Sequence, residues 1–273
     1  MHYALISFLN ARPLWWGLTH APRADDSFEF ASPARCADLI AAGLADLALV
    51  PAIEIARIPD LIALPSICIA SRAEVRSVLL VSRVPMEEIR AVALDPSSRT
   101  SVALAHILLG ERLGEAAYRR IKFDPVEREN LLRLEGHDAA VVIGDPALQF
   151  SKRRGPEIYQ YDLAAEWNAL FNEPFVFALW AGRRSQVERR LDETVARLEG
   201  SRDFGLRHIE AIAREASEEL SLPFSELVEY FREALHYDFG ERERRALRRF
   251  FALAAKYQLI GEVTDQQWIA ESK

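Results

Sequence analysis

Two cysteines are all that 273 residues contain, Cys36 and Cys68, and they stand 32 positions apart in apolar stretches. A disulfide framework or a cysteine-ligated metal ribbon would need closer and more numerous thiols, so both are predicted to be reduced core residues. The six histidines show no HxxxH or HxH spacing, which excludes the usual zinc patterns. No GxGxxG or P-loop run occurs, leaving no conventional dinucleotide or nucleoside triphosphate site. No GxSxG elbow marks a serine nucleophile. Positive charge is also scarce: 34 Lys and Arg stand against 41 Asp and Glu, a net −7, which argues against nucleic acid as a partner. No apolar run reaches the ~18 residues that a membrane span requires. Residues 1–9 carry no basic, apolar and small-residue succession of a secretory signal, so the expected location is cytoplasmic.

Half the residues are apolar and 27% are charged, enough for one large domain or two lobes of about 100–150 residues. Short Val/Ile/Leu/Ala runs alternate with helical stretches from Tyr3 to Trp180, which predicts an α/β fold with parallel sheets covered on both faces. Beyond Arg183 the strand signal stops. Amphipathic helices are expected over 191–198, 209–220, 223–235 and 242–257. Aromatics such as Tyr230 and Phe231 fall on the helical repeat there and read as core.

The chemistry concentrates where strands turn into helices. After the strand Ala91–Leu94 comes Asp95-Pro96-Ser97-Ser98-Arg99-Thr100-Ser101, leading into a helix expected over Val102–Leu109 and ending near Gly110. A helix N-terminus has unpaired N–H groups and the positive end of the macrodipole. Four hydroxyls and an arginine there exceed what one cap needs and suggest an anion site. Three further turns carry polar groups: Asn10 and Arg12 after Tyr3–Ile6, Pro51 to Glu54 after Ala45–Val50, and Gly144 and Asp145 after Ala139–Ile143. Ligands of open α/β sheets bind beyond the carboxyl ends of the strands. Four such turns therefore imply one small metabolite with several oxygens. Ser77, inside the expected strand Val75–Val81, reads by itself as a solvent-face residue.

The stretches Ser7-Phe-Leu-Asn10-Ala-Arg-Pro13-Leu14, Asp46 to Glu54, Val75 to Val78, Leu94 to Ser101, Asp138 to Asp145 and Asp162 to Trp180 occur in that order. Together they resemble the menaquinone-biosynthesis family of the futalosine route. The resemblance implies a two-lobed, type II periplasmic-binding-protein-like fold with a helical C-terminal region. It places lobe one at 1–82 and 173–273 and lobe two at 83–172. It further implies loss of water from chorismate to give 3-[(1-carboxyvinyl)oxy]benzoate, without cofactor or metal. Asn10 and Ser77 are then expected to position the substrate and help the hydroxyl leave, the enolpyruvyl carboxylate taking the proton. Arg12, Pro51, Glu54, Ser97, Ser98, Arg99, Thr100, Ser101, Gly144 and Asp145 are the expected binding residues. Two alternatives remain open at this point. One is the related cyclase that makes dihydroxynaphthoate, which would use a histidine such as His106 or His137. The other is a small-anion binding protein without activity. Oligomeric state is unassigned.

Overall fold

The computed structural model describes residues 1–150, 158–261 and 263. The parts of both expected lobes at 151–157, 262 and 264–273 lie outside the described residues. Eleven strands run through the described chain: β1 (His2–Ile6), β2 (Ser27–Ala31), β3 (Leu47–Pro51), β4 (Leu61–Ser71), β5 (Val78–Ser82), β6 (Ala91–Leu94), β7 (Lys122–Pro125), β8 (Ala139–Ile143), β9 (Tyr159–Asp162), β10 (Phe175–Arg183) and β11 (His236–Phe239). They form a six-stranded sheet, β11-β4-β10-β3-β1-β2, and a five-stranded sheet, β7-β6-β8-β5-β9. The chain leaves the first sheet after Ser71 and returns at Phe175, so two crossings join the lobes.

Three expectations need correction. Val78–Ser82 was expected in lobe one, but β5 pairs with β8 and β9 in the second sheet, so the first crossing precedes residue 78. The sheets are mixed rather than parallel. β1–β2, β1–β3, β6–β7 and β6–β8 run parallel, whereas β10 runs antiparallel to β3 and β4, and β5 antiparallel to β8. A buried apolar strand reads the same in either direction, since both faces are covered. Thirdly, β11 interrupts the helical tail: its Tyr237 and Phe239 point inward, and it closes the first sheet along β4.

Ser32 caps Pro33–Ala41 by accepting from the Arg35 amide at 3.3 Å. The helix after the serine cluster runs from Arg99 to Leu113, through Gly110, and stops at Gly114, whose φ of +78° suits glycine. The expected helix at 223–235 is a short α-helix, Phe224–Glu229, followed by a π-helical turn, Tyr230–Ala234.

Packing fixes where the turns end up. Helix Arg12–His20 lies against Leu191–Arg207 so closely that a Cβ on Gly205 would come 2.0 Å from the Pro13 carbonyl oxygen. The Ser201 hydroxyl donates to the Leu14 carbonyl at 2.8 Å and accepts from the Leu18 amide at 3.0 Å. Asn10 directly precedes that helix, so this contact seats it. Trp167, Phe175 and Phe250 meet edge to face, with centroids 5.1 and 5.2 Å apart, tying the return crossing to the C-terminal helix Glu241–Lys256.

Candidate active site

The parallel strands β1, β3, β6 and β8 end around one cavity between the two sheets. Ile6, Phe8, Asn10, Pro33, Pro51, Ile69, Phe177 and Ala178 line it from the first lobe. Ser77, Val78, Ser98, Ser101, Ile143 and Gly144 face them from the second. Of the expected site residues, Asn10, Pro51, Ser77, Ser98, Ser101 and Gly144 come together here.

Asn10 sits in a 3-10 turn, Leu9–Ala11, where β1 meets the following helix. Its main-chain oxygen accepts a hydrogen bond from the Tyr237 hydroxyl at 3.0 Å. Its side-chain Oδ1 is buried with no partner. A buried acceptor left unpaired costs about 1–3 kcal/mol, a cost a bound donor removes.

Ser77 is 1% exposed and lies just before β5, not within it. Arg76 ahead of it has a φ of +62°, an uncommon left-handed conformation that turns the chain between the sheets. The Ser77 oxygen accepts from the buried Tyr230 hydroxyl at 2.8 Å. Burial pushes the Tyr230 phenol well above its usual range, with Asp145 and Asp162 adding to the rise, so it remains a donor. The hydroxyl hydrogen of Ser77 is therefore available to another acceptor.

Ser98 is the N-cap residue of Arg99–Leu113, but its side chain makes no capping bond. Its hydroxyl instead donates to Ser101 Oγ at 2.8 Å, and both oxygens belong to residues on the cavity wall. Gly144 has φ +67°, and a Cβ there would approach the Phe8 ring to 3.1 Å.

The other expected contacts are not on the wall, because protein partners hold their functional groups. Arg12 pairs with Glu219. Arg99 pairs with Asp38 at 2.7 Å and with Glu54 at 3.1 Å, and Glu54, only 3% exposed, also binds Arg57. Thr100 Oγ1 accepts from the Ile53 amide at 3.2 Å. Ser97 donates to Asp95 at 2.5 Å and accepts from Arg128 at 2.8 Å. Asp145 accepts from the Leu9 amide at 3.1 Å, and burial raises its carboxyl above the usual range. Half of these bonds, those of Arg99, Thr100 and Asp145, run from one lobe to the other and hold the two walls together.

Sequence reading missed three residues. Tyr230 and Tyr237 hold the two cavity groups, yet periodicity assigns Tyr230 to the core, where it indeed is. Arg128, from a 3-10 turn at Arg128–Arg133, stacks 4.6 Å from the Phe8 ring centroid and pairs with Asp95 at 3.2 Å. No motif marks it.

No histidine lines the cavity. His106 is packed at 3.8 Å on Phe123 and bonded to Tyr118, and burial drives it down to about 4. His137 contacts Asp124 and the Glu135 carbonyl. No group of three or more His, Cys, Asp or Glu suited to a metal occurs among the described residues. None of the described helices is long and apolar enough to cross a membrane.

The family profile described as menaquinone biosynthesis matches residues 1–256. A chorismate dehydratase of Thermus thermophilus is 28% identical over 237 residues, covering 81% of this chain and 83% of that protein. Among solved structures, a protein of Archaeoglobus fulgidus superposes with a TM-score of 0.73 at 15% identity, covering 95% of this chain and 98% of its own. The alkanesulfonate-binding protein of Xanthomonas axonopodis pv. citri, bound to MOPS, gives 0.71 at 13% identity over 98% and 97% of the two chains. At such identities these likenesses establish the fold, that of periplasmic binding proteins.

Proposed function

The chain belongs to the menaquinone biosynthesis family, and on that premise we propose that it is a chorismate dehydratase, a hydro-lyase that converts chorismate to 3-[(1-carboxyvinyl)oxy]benzoate. The observation that carries this reading is the placing of Asn10 and Ser77 on facing walls of one cavity. An orphaned acceptor faces it from one lobe and a hydroxyl with a free hydrogen from the other.

The reaction breaks a C–H bond at the ring carbon bearing the enolpyruvyl ether. Those electrons form the new ring double bond, and the neighbouring C–O bond breaks to release hydroxide, which takes up the proton lost from the ring and leaves as water. Aromatisation supplies the driving force, so the protein has to orient and polarise. Among the described residues, Asn10, Ser77, Ser98 and Ser101 are the polar side chains on the wall, and none of them titrates near neutrality. The substrate's own enolpyruvyl carboxylate, within reach of the adjacent ring carbon, is the proton acceptor. Ser77 donates its hydrogen to the departing hydroxyl. Asn10 Oδ1 accepts the hydrogen that the same hydroxyl carries, fixing its orientation. Ser98, Ser101 and the helix N-terminus receive a substrate carboxylate.

The test is incubation of the purified protein with chorismate, followed by mass spectrometry and proton NMR. Loss of one water, with an aromatic product that keeps its enolpyruvyl group, is the expected result. Unchanged chorismate overturns the proposal. Binding without turnover replaces it with an anion-binding role.

A further inference from the structure

The turn that carries Ser77 is held by a carboxylate that takes no place on the cavity wall. Asp162, the last residue of β9, accepts from the Val75 amide at 3.1 and 3.0 Å and from the Arg76 amide at 2.6 Å. The same side chain accepts from the Ala164 and Ala165 amides at 3.0 and 3.1 Å, capping the helix Leu163–Phe171. One carboxylate thus joins both crossings between the lobes: the outgoing one at 72–77 and the start of the return. Downstream, the Ser77 amide donates to the Val75 carbonyl at 2.7 Å, and the Ser77 carbonyl accepts from Gly144 at 2.8 Å.

Arg76 explains why the clamp matters. Its left-handed backbone, φ +62°, is disfavoured for a side chain with a Cβ and persists only where the surroundings over-determine it. Two charge-assisted bonds from Asp162, on Val75 and on Arg76 itself, supply that constraint. Released, the turn relaxes toward ordinary extended backbone, and the Ser77 oxygen leaves the line from Tyr230 to the cavity.

We propose that Asp162 is the positioning residue for Ser77, locking the Val75–Ser77 turn so that its hydroxyl is aimed at the substrate. The catalytic part of this inference rests on the dehydratase reading; the clamp does not. Asp162→Ser separates the two jobs of the carboxylate, since serine is a good N-cap but its single short hydroxyl does not also hold Val75 and Arg76. Expected for Asp162→Ser is a fall in kcat of about ten- to a hundredfold, the scale of a small misplacement, with KM changed less than about threefold. In a Ser77→Ala background the same change is expected to lower kcat no further. Multiplication of the two losses in the double variant overturns the assignment, because a general structural defect adds to any other. A second readout needs no substrate. Amide hydrogen exchange at Val75 and Arg76 is expected to quicken by tenfold or more in Asp162→Ser, while exchange within Leu163–Phe171 stays slow. Unchanged exchange at 75 and 76 overturns the clamp even if the protein fails to act on chorismate, a failure that strikes only the dehydratase reading.

Discussion

The wall of the cavity and the band of residues directly behind it differ in one respect: charge. On the wall stand a carboxamide and three hydroxyls among apolar side chains. Behind it, often one residue away in sequence, stand Arg12 with Glu219, Arg99 with Asp38 and Glu54, and Arg128 with Asp95. The charged residues hold the lobes and turns; the neutral ones face the ligand. Such a division suits a substrate that brings its own base. A lysine or arginine free on the wall would pair with the substrate carboxylate and lower its basicity, and a free carboxylate would repel it.

The sharpest way to break this contrast is to remove a wall group. Asn10→Ala and Ser77→Ala are each expected to lower kcat by about a hundredfold or more in a steady-state assay, the loss typical of one preorganised polar contact in a transition state. Full turnover in both would empty the wall of its assigned roles. Ser98→Ala is expected to raise KM more than it lowers kcat, because it meets a carboxylate that the reaction leaves in place.

A middle-sized effect comes from acid. The partly buried His106 is neutral, desolvation holding its folded pKa down to about 4 against an ordinary value of 6.5. Its depressed value means that the unfolded chain binds the proton first. Stability from this group is complete above about pH 6.5 and is lost as pH falls toward 4, by up to about 3 kcal/mol. Urea titrations at pH 7 and pH 5 are expected to show a smaller pH-dependent loss in His106→Gln than in the unaltered protein. Equal losses would place the acid sensitivity elsewhere.

Smaller effects are expected from the charged band. Thr100→Val leaves the Ile53 amide without its acceptor and is expected to cost about 1–3 kcal/mol, seen as a lowered Tm. Arg12→Gln, which breaks a pair with the half-exposed Glu219, is expected to shift stability by less than about 1 kcal/mol. Abolished activity with unchanged stability in Thr100→Val would move that residue from the band to the wall.

Local chemistry was legible wherever it depends on neighbours in sequence. The turns after β1, β3, β6 and β8 meet at one cavity, as strand-to-helix turns of an α/β fold should. Ser77 was readable as functional only through the family resemblance, since a lone serine beside an apolar strand carries no signal. Which oxygen at a turn points inward was not legible. Ser98 and Ser101 face the cavity while Ser97, held back by Asp95 in the preceding turn, and Thr100, about 100° round the helix from Ser101, bind protein groups. Strand direction was equally hidden, as β5 and β10 show.

By itself, then, the sequence determined the alternation of strands and helices, the polar turns and the family. These are written in short-range pattern and in motif order. Only the tertiary structure decided that Tyr230 and Tyr237, far along the chain, hold Ser77 and Asn10, and that Glu54, Arg99 and Asp145 join the two lobes. A side chain's charge is local, but its partner is chosen by packing. An arginine with a carboxylate at 2.7 Å is already satisfied before any ligand arrives.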